Sequence, residues 1–175
     1  MSPPEETQPL PAFPKGFDAY VCVGDRIEME ADGLTIRARI VEDDDGTAPD
    51  ERQEGFWPSL YANDPGFIGP GNDWRTRFAD QKAKAEAILQ AWRDDEWFYC
   101  GIVLSVSADG DGELIELDGH ASALWSIEAN YPTGSNDYLR EVADDLLPEA
   151  IRRGKEVLHN LCNHCPCGAA CEAFT

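Results

Sequence analysis

The segment Trp97-Phe98-Tyr99-Cys100-Gly101-Ile102-Val103-Leu104-Ser105-Val106 is apolar at odd and even positions alike. A strand points successive side chains to opposite faces, so a run that is apolar on both needs cover on both. It is therefore expected to be a central strand, with the other elements arranged around it. Gly101 in its middle predicts a close approach by another element.

Residues 17–41 supply strands to flank it. Tyr20 to Val23 form a short apolar run, and Ile27 and Met29 alternate with charged neighbours. Leu34, Ile36, Ala38 and Ile40 alternate with Thr35, Arg37, Arg39 and Val41. Asp32-Gly33 between the two alternating runs is a hairpin turn signal. Beyond the central strand, Leu114–Leu117 and Ala121–Ile127 read as two more strands.

Residues 74–95 predict a helix with Asp73 as N-cap and an apolar face of Phe78, Ala85, Ile88, Leu89 and Trp92. Its basic residues Arg75, Arg77, Lys82, Lys84 and Arg93 read as solvated side chains. Residues 135–161 predict a second helix, with Leu139, Val142, Ala143, Leu146, Ala150, Ile151, Leu158 and Leu161 as its stripe. Pro148 should kink it or begin a new helix. Consecutive strands joined by short turns imply an antiparallel sheet. The expected fold is α+β: an antiparallel sheet of about five strands with two main helices packed on one face.

One domain over residues 17–161 fits a chain of 175 residues. Residues 1–16 carry Pro3, Pro4, Pro9, Pro11 and Pro14 and read as an extended, disordered arm. Residues 42–73 read as a long loop, acidic in its first half. Phe56, Trp57, Leu60, Tyr61, Phe67 and Ile68 make its second half too apolar for a free linker. Residues 162–175 form a cysteine-rich tail.

Charge sets the class of partner. The chain has 34 Asp and Glu against 14 Lys and Arg, a formal net charge of −20. Such a chain repels phosphate backbones and anionic lipid, so direct nucleic-acid or membrane binding is not expected. Basic protein surfaces are the expected partners, above all those that normally hold DNA. Rows of carboxylates on a rigid fold can occupy such a surface. The candidates are Asp43, Asp44, Asp45, Asp50, Glu51 and Glu54 in the loop, and Glu141, Asp144, Asp145 and Glu149 on the second helix. Glu141, Asp145 and Glu149 fall at i, i+4, i+8 and so share one stripe. A solvated helix face and simple solubility explain the same residues without any partner.

Cys22 and Cys100 sit in strand-like runs and read as small buried hydrophobes. Cys162, Cys165, Cys167 and Cys171 cluster near the C-terminus in a C-x2-C-x-C-x3-C pattern, with His164 inside it. Thiolates bind zinc tetrahedrally, and C-x2-C is a common half-site. The ligands of zinc sites are usually spread more widely along the chain, and a free oxidisable tail is the other reading. The turns Asp43-x-Asp45 and Asp109-x-Asp111 lack the glycine that a calcium loop requires. With three His and no nucleophile elbow, phosphate loop or H-E-x-x-H, no enzymatic activity is expected. The start of the chain lacks a basic segment followed by an apolar run, so a cytoplasmic location is expected.

The segments Trp97–Ser107, Leu124–Glu128 and Tyr138–Ala143 resemble a group of small acidic proteins carried by bacterial phages and plasmids. The resemblance covers about residues 74–151. It implies an accessory protein of a mobile element, a class that often inhibits host restriction or CRISPR complexes. No functional residue is carried over from it. The alternative is a small zinc-binding protein that uses its cysteine cluster as a structural or partner-recruiting site. A zinc site there predicts metal release when the thiols are modified, read with a chromogenic chelator. No release from protein made in zinc-rich medium removes that alternative.

Overall fold

The computed structural model describes residues 11–107, 115–116 and 122–164 of the 175, the side chains of 115–116 and 161–164 excepted. β1 (Arg26–Ala31) and β2 (Leu34–Glu42) form a hairpin. Its turn is Asp32-Gly33 with φ of 55° and 76°, the left-handed pair that a two-residue hairpin turn needs. β3 (Phe98–Ser107) lies beside β2, antiparallel, with Ile36 opposite Val106 and Ile40 opposite Ile102. On its other edge β3 pairs with β5 (Ala123–Ala129) along its first half and with β4 (Ile115–Glu116) further on. The sheet is thus antiparallel and four strands wide, with β4 and β5 sharing one edge, and β3 is paired on both sides as its composition requires.

One face of the sheet is apolar. Ile27, Leu34, Ile36, Ala38, Ile40, Cys100, Ile102, Leu104 and Val106 point to it. α3 (Asp137–His164) covers that face with Leu139, Ala143, Leu147, Ala150 and Ile151. It continues through Pro148 as a single helix. Gly154 lets it lie close: a Cβ there would stand 3.0 Å from a Val106 methyl and 3.3 Å from Leu34 Cδ1.

α2 (Trp74–Arg93) departs from the expected layout of two helices on one face. Its buried residues, Ala85 and Leu89, lie outside the main core. It is held instead by Trp97, fully buried, whose indole N–H donates to Ile88 O at 2.9 Å. Trp97 in turn meets Tyr99 and Tyr131 edge-on, with ring centroids 5.2 and 5.0 Å apart. Tyr99 alternates with Cys100, so this aromatic cluster and α2 belong to the side of the sheet away from α3. Asp73 makes no side-chain cap; its carboxylate pairs with Arg77.

Two sequence expectations fail near the N-terminus. Residues 11–16 form neither helix nor strand, yet Phe13 is fully buried in the core and its N–H donates to Asp144 Oδ1 at 2.7 Å. A chain without regular structure can still dock by one aromatic residue. The remainder of the expected arm, residues 1–10, lies outside the described residues. Cys22 is exposed. The run Tyr20–Val23 is no strand but leads into a turn in which Cys22 N–H donates to Asp25 Oδ2 at 2.8 Å. Val21 alone is buried, its backbone N–H and C=O both bonded by the side chain of Asn130 at 2.9 and 2.8 Å. Asn136 bonds Asn130 and Ala19 O in turn, fastening this segment to the start of α3.

The close approach expected at Gly101 is Trp125. Opposite Gly101, β5 carries one residue too many, a bulge at Trp125 and Ser126. The Trp125 ring lies over the glycine, and a Cβ at Gly101 would fall 2.4 Å from Cε3 of that ring. Gly101→Ala is therefore expected to lower stability by about 1–3 kcal/mol, measured by chemical denaturation, because the indole has to leave its place. Truncating Trp125 to Ala in the same chain should recover part of that loss.

Candidate functional site

The segment from Glu42 to Gly71 is the feature with the most structure and the least regularity. Its first half is organised by Asp43. The Asp43 Oδ2 atom accepts from Arg52 Nη1 at 3.0 Å and from Ser126 N–H at 3.2 Å. Arg52 closes the short helix α1 (Pro49–Arg52) and reaches Asp45 with its other amino group at 3.0 Å. Its guanidinium also stacks over the Tyr99 ring at 4.3 Å. One carboxylate thus joins the end of β2, α1 and the β5 bulge, and it holds Ser126 at φ 61°.

Gln53 adds a second tie. Its amide nitrogen donates to Tyr99 Oη at 2.9 Å and to Glu128 Oε1 at 2.5 Å. The environments of the two carboxylates diverge. The hydrogen bond from Arg52 holds Asp43 below its ordinary value near 3.8, against the opposing effect of burial. Burial pushes Glu128 up, with Gln53 partly offsetting it. Cys100, beneath, has its thiol pushed up to about 12 by burial and is unreactive at neutral pH.

The second half is a closed loop, residues 55–69. Its neck is backbone against backbone. A Cβ on Gly66 would fall 2.0 Å from Trp57 O, and one on Gly55 would fall 2.7 Å from the Pro65 carbonyl carbon. Ser59 N–H donates to Gly66 O at 2.7 Å, and Ile68 N–H to Ser59 O at 3.0 Å. Inside, Ser59 Oγ donates to Asp64 Oδ2 and accepts from Tyr61 N–H. Arg77 of α2 grips the far end by donating to the carbonyls of Ile68, Gly69 and Pro70. Phe56 and Phe67 face α2 across a crevice of about 460 Å³. Held this way, the loop exposes Tyr61 at 75%, Leu60 at 45% and Trp57 at 38%. The Trp57 indole N–H donates to Asp50 Oδ2 at 3.4 Å, which sets an acidic residue at the edge of the aromatic surface.

The ten acidic candidates divide accordingly. Asp43, Asp44, Asp45, Asp50, Glu51 and Glu54 lie on the Tyr99 side of the sheet, and Glu141, Asp144, Asp145 and Glu149 on α3 across it. They form two groups separated by the sheet rather than one ridge. Within each group some are already matched. Asp43 and Asp45 hold Arg52; Asp144 takes Phe13 N–H and Arg140; Glu149 pairs with Arg152. Asp44, Glu51, Glu54, Glu141 and Asp145 are exposed. Cys162 lies in the last turns of α3, its side chain outside the described residues together with Cys165, Cys167 and Cys171. Among the described residues no group of three or more His, Cys, Asp or Glu is placed to hold a metal ion. No helix among them is long and apolar enough to cross a membrane. Sequence reasoning missed Arg52 and Arg77. Arg77 was read as a solvated side chain, and no sequence signal marks either arginine, because their partners are backbone carbonyls and carboxylates that only the fold brings near.

Comparison with known proteins finds no matching family model, no matching curated protein and no matching solved structure.

Arg52→Met should release the 43–53 segment at a cost of about 1–3 kcal/mol at neutral pH. Because the pair depresses the folded-state pKa of Asp43, its stabilisation is complete above the ordinary carboxylate value. It fades as pH falls through the depressed one. The two proteins should therefore differ in denaturation midpoint at neutral pH and converge in strong acid. In the variant, the Asp43 carboxyl resonance should titrate at a higher pH.

Proposed function

We propose that the protein is a non-enzymatic accessory factor that binds a basic protein surface through the 50–64 segment. The observation that carries this reading is the pinned loop that exposes Trp57, Leu60 and Tyr61 with Asp50, Glu51, Glu54 and Asp64 in the same segment. Partner surfaces concentrate their binding energy in a few aromatic or large apolar residues ringed by polar ones. A monomer gains nothing from a bulky apolar tip in water, and a loop whose backbone is already fixed loses little entropy on docking. The acidic rim selects a positive partner and speeds its approach, a contribution that added salt weakens.

In its sharpest form the partner is a nucleic-acid-binding complex of host defence, of the restriction or CRISPR kind. The protein is then an inhibitor carried by a phage or plasmid, which covers the surface where DNA normally lies. The net charge of −20 and the resemblance to small acidic proteins of mobile elements support that form. The acidic stripe of α3, on the opposite side of the sheet and partly matched by its own arginines, has the smaller part.

The test is capture from a bacterial host lysate with the tagged protein, followed by mass spectrometry and titration of the captured partner. Leu60→Ala with Tyr61→Ala should weaken binding by tenfold or more, at roughly 2 kcal/mol for the hot-spot pair, and leave the denaturation midpoint in place. Charge reversal at Glu51 and Glu54 should weaken binding more than reversal at Glu141 and Asp145. Binding that ignores both salt and the loop changes would sink the proposal.

A further inference from the structure

β1 is an edge of the sheet. β2 pairs with it on one side, and among the described residues no strand pairs with it on the other. The two-residue turn at Asp32-Gly33 makes Ala31 and Leu34 a hydrogen-bonded pair, and the pattern alternates from there down the ladder. Ile27, Met29 and Ala31 therefore bond β2 with their backbone groups. Arg26, Glu28 and Glu30 turn theirs outward, and no backbone hydrogen bond among the described residues engages them. Ile27 belongs to the core, so the side chains of Arg26, Glu28 and Glu30 lie on the face away from α3, all exposed.

An open edge of this kind is a template for another strand. Charged side chains blunt it where the incoming strand brings like charge opposite them. The order Arg26, Glu28, Glu30 lifts that restriction for one arrangement. With a second β1 laid antiparallel about a two-fold axis at Glu28, Arg26 of each copy stands opposite Glu30 of the other. Every outward N–H and C=O of these residues then finds a partner. The like pair on the axis, Glu28 against Glu28, is neutralised within each copy: Arg37 donates to the carboxylate at 2.5 Å and Arg26 lies 3.6 Å from it. Neighbouring registers fit less well. Sliding the second strand one way sets Glu28 opposite Glu30. Sliding it the other way sets Glu30 opposite Gly24, whose N–H donates to Ile40 O at 2.8 Å instead.

We infer that this edge receives the β1 strand of a second copy of the chain, antiparallel, so that one sheet runs through both copies. The net charge of −20 opposes association at long range. At physiological salt that repulsion is screened beyond about 8 Å, which leaves the matched charges at the edge to decide. The inference goes beyond the proposed function and does not depend on it. The segment that leads into the exposed loop is tied to Ser126 of β5, on the opposite side of the sheet from β1, and stays free in the dimer.

The test is sedimentation velocity of the full-length chain at rising concentration, in reducing buffer of physiological salt. A reversible monomer–dimer equilibrium is expected. Glu28→Pro removes an outward N–H without touching the β1–β2 ladder, and it should weaken dimerisation while the circular dichroism spectrum stays that of the parent. Arg26→Glu and Glu30→Arg, both exposed, should each weaken it by about tenfold or more, because each turns both attractive cross-strand pairs repulsive. Mixing those two variants should restore it, since each then supplies the sign the other needs. A parent chain that stays monomeric throughout, a Glu30→Arg variant that dimerises like the parent, or a mixture that remains monomeric would overturn the inference. So would self-association that Tyr61→Ala abolishes and Glu28→Pro leaves intact.

Discussion

β3 has to be buried on both faces, and the two coverings are of different kinds. On one side α3 lays an apolar stripe across Ile102, Leu104 and Val106, a contact that depends on area and shape alone. On the other, cover comes from single aromatic and polar residues: Trp125 over Gly101, Trp97 against Tyr99, and Arg52 above that ring. Such a covering is directional, since each hydrogen bond and ring contact fixes the piece that carries it. The irregular half of the molecule is therefore ordered without regular secondary structure.

The acidity of the chain acts at two levels. Part of it is internal. Asp43, Asp144 and Glu149 each bind an arginine, and Asp43 and Asp144 also accept backbone N–H groups, so these carboxylates stabilise the fold. The rest is displayed. The displayed groups are spread over the surface, and at the pinned loop they lie in the same segment as the exposed Trp57, Leu60 and Tyr61.

Much of the scaffold was legible from residue pattern. The two-sided apolar run gave the central strand, Asp32-Gly33 gave the hairpin, and helical periodicity gave α2 and α3 to within a few residues. What stayed hidden depends on partners distant in sequence. Nothing local marks Phe13 as a core residue; its backbone partner is 131 positions away. The link from Asp43 to Ser126 spans 83 positions. The placement of α2 followed from one indole; its amphipathic pattern gave the buried stripe correctly, and only the side of the sheet it packs on was not legible. The apolar content of the 42–73 loop was a sign of packing only for Phe56, Phe67 and Ile68, which are half-buried, whereas Trp57, Leu60 and Tyr61 are exposed, and the glycine neck that shapes the loop shows only in three dimensions. Of the expected cysteine tail, residues 162–164 are the end of α3 and residues 165–175 lie outside the described residues.

The bond from Phe13 to Asp144 has a consequence for biosynthesis. The β1–β2 hairpin and β3 can pair with one another as soon as residue 107 is out of the ribosome, since the pairing among these three strands needs no later residue. Their apolar face stays wet until α3 emerges, and the N-terminal aromatic has no seat before then. Closure of the core is thus a late event set by the emergence of α3, and the first residues of the described chain are among the last to settle.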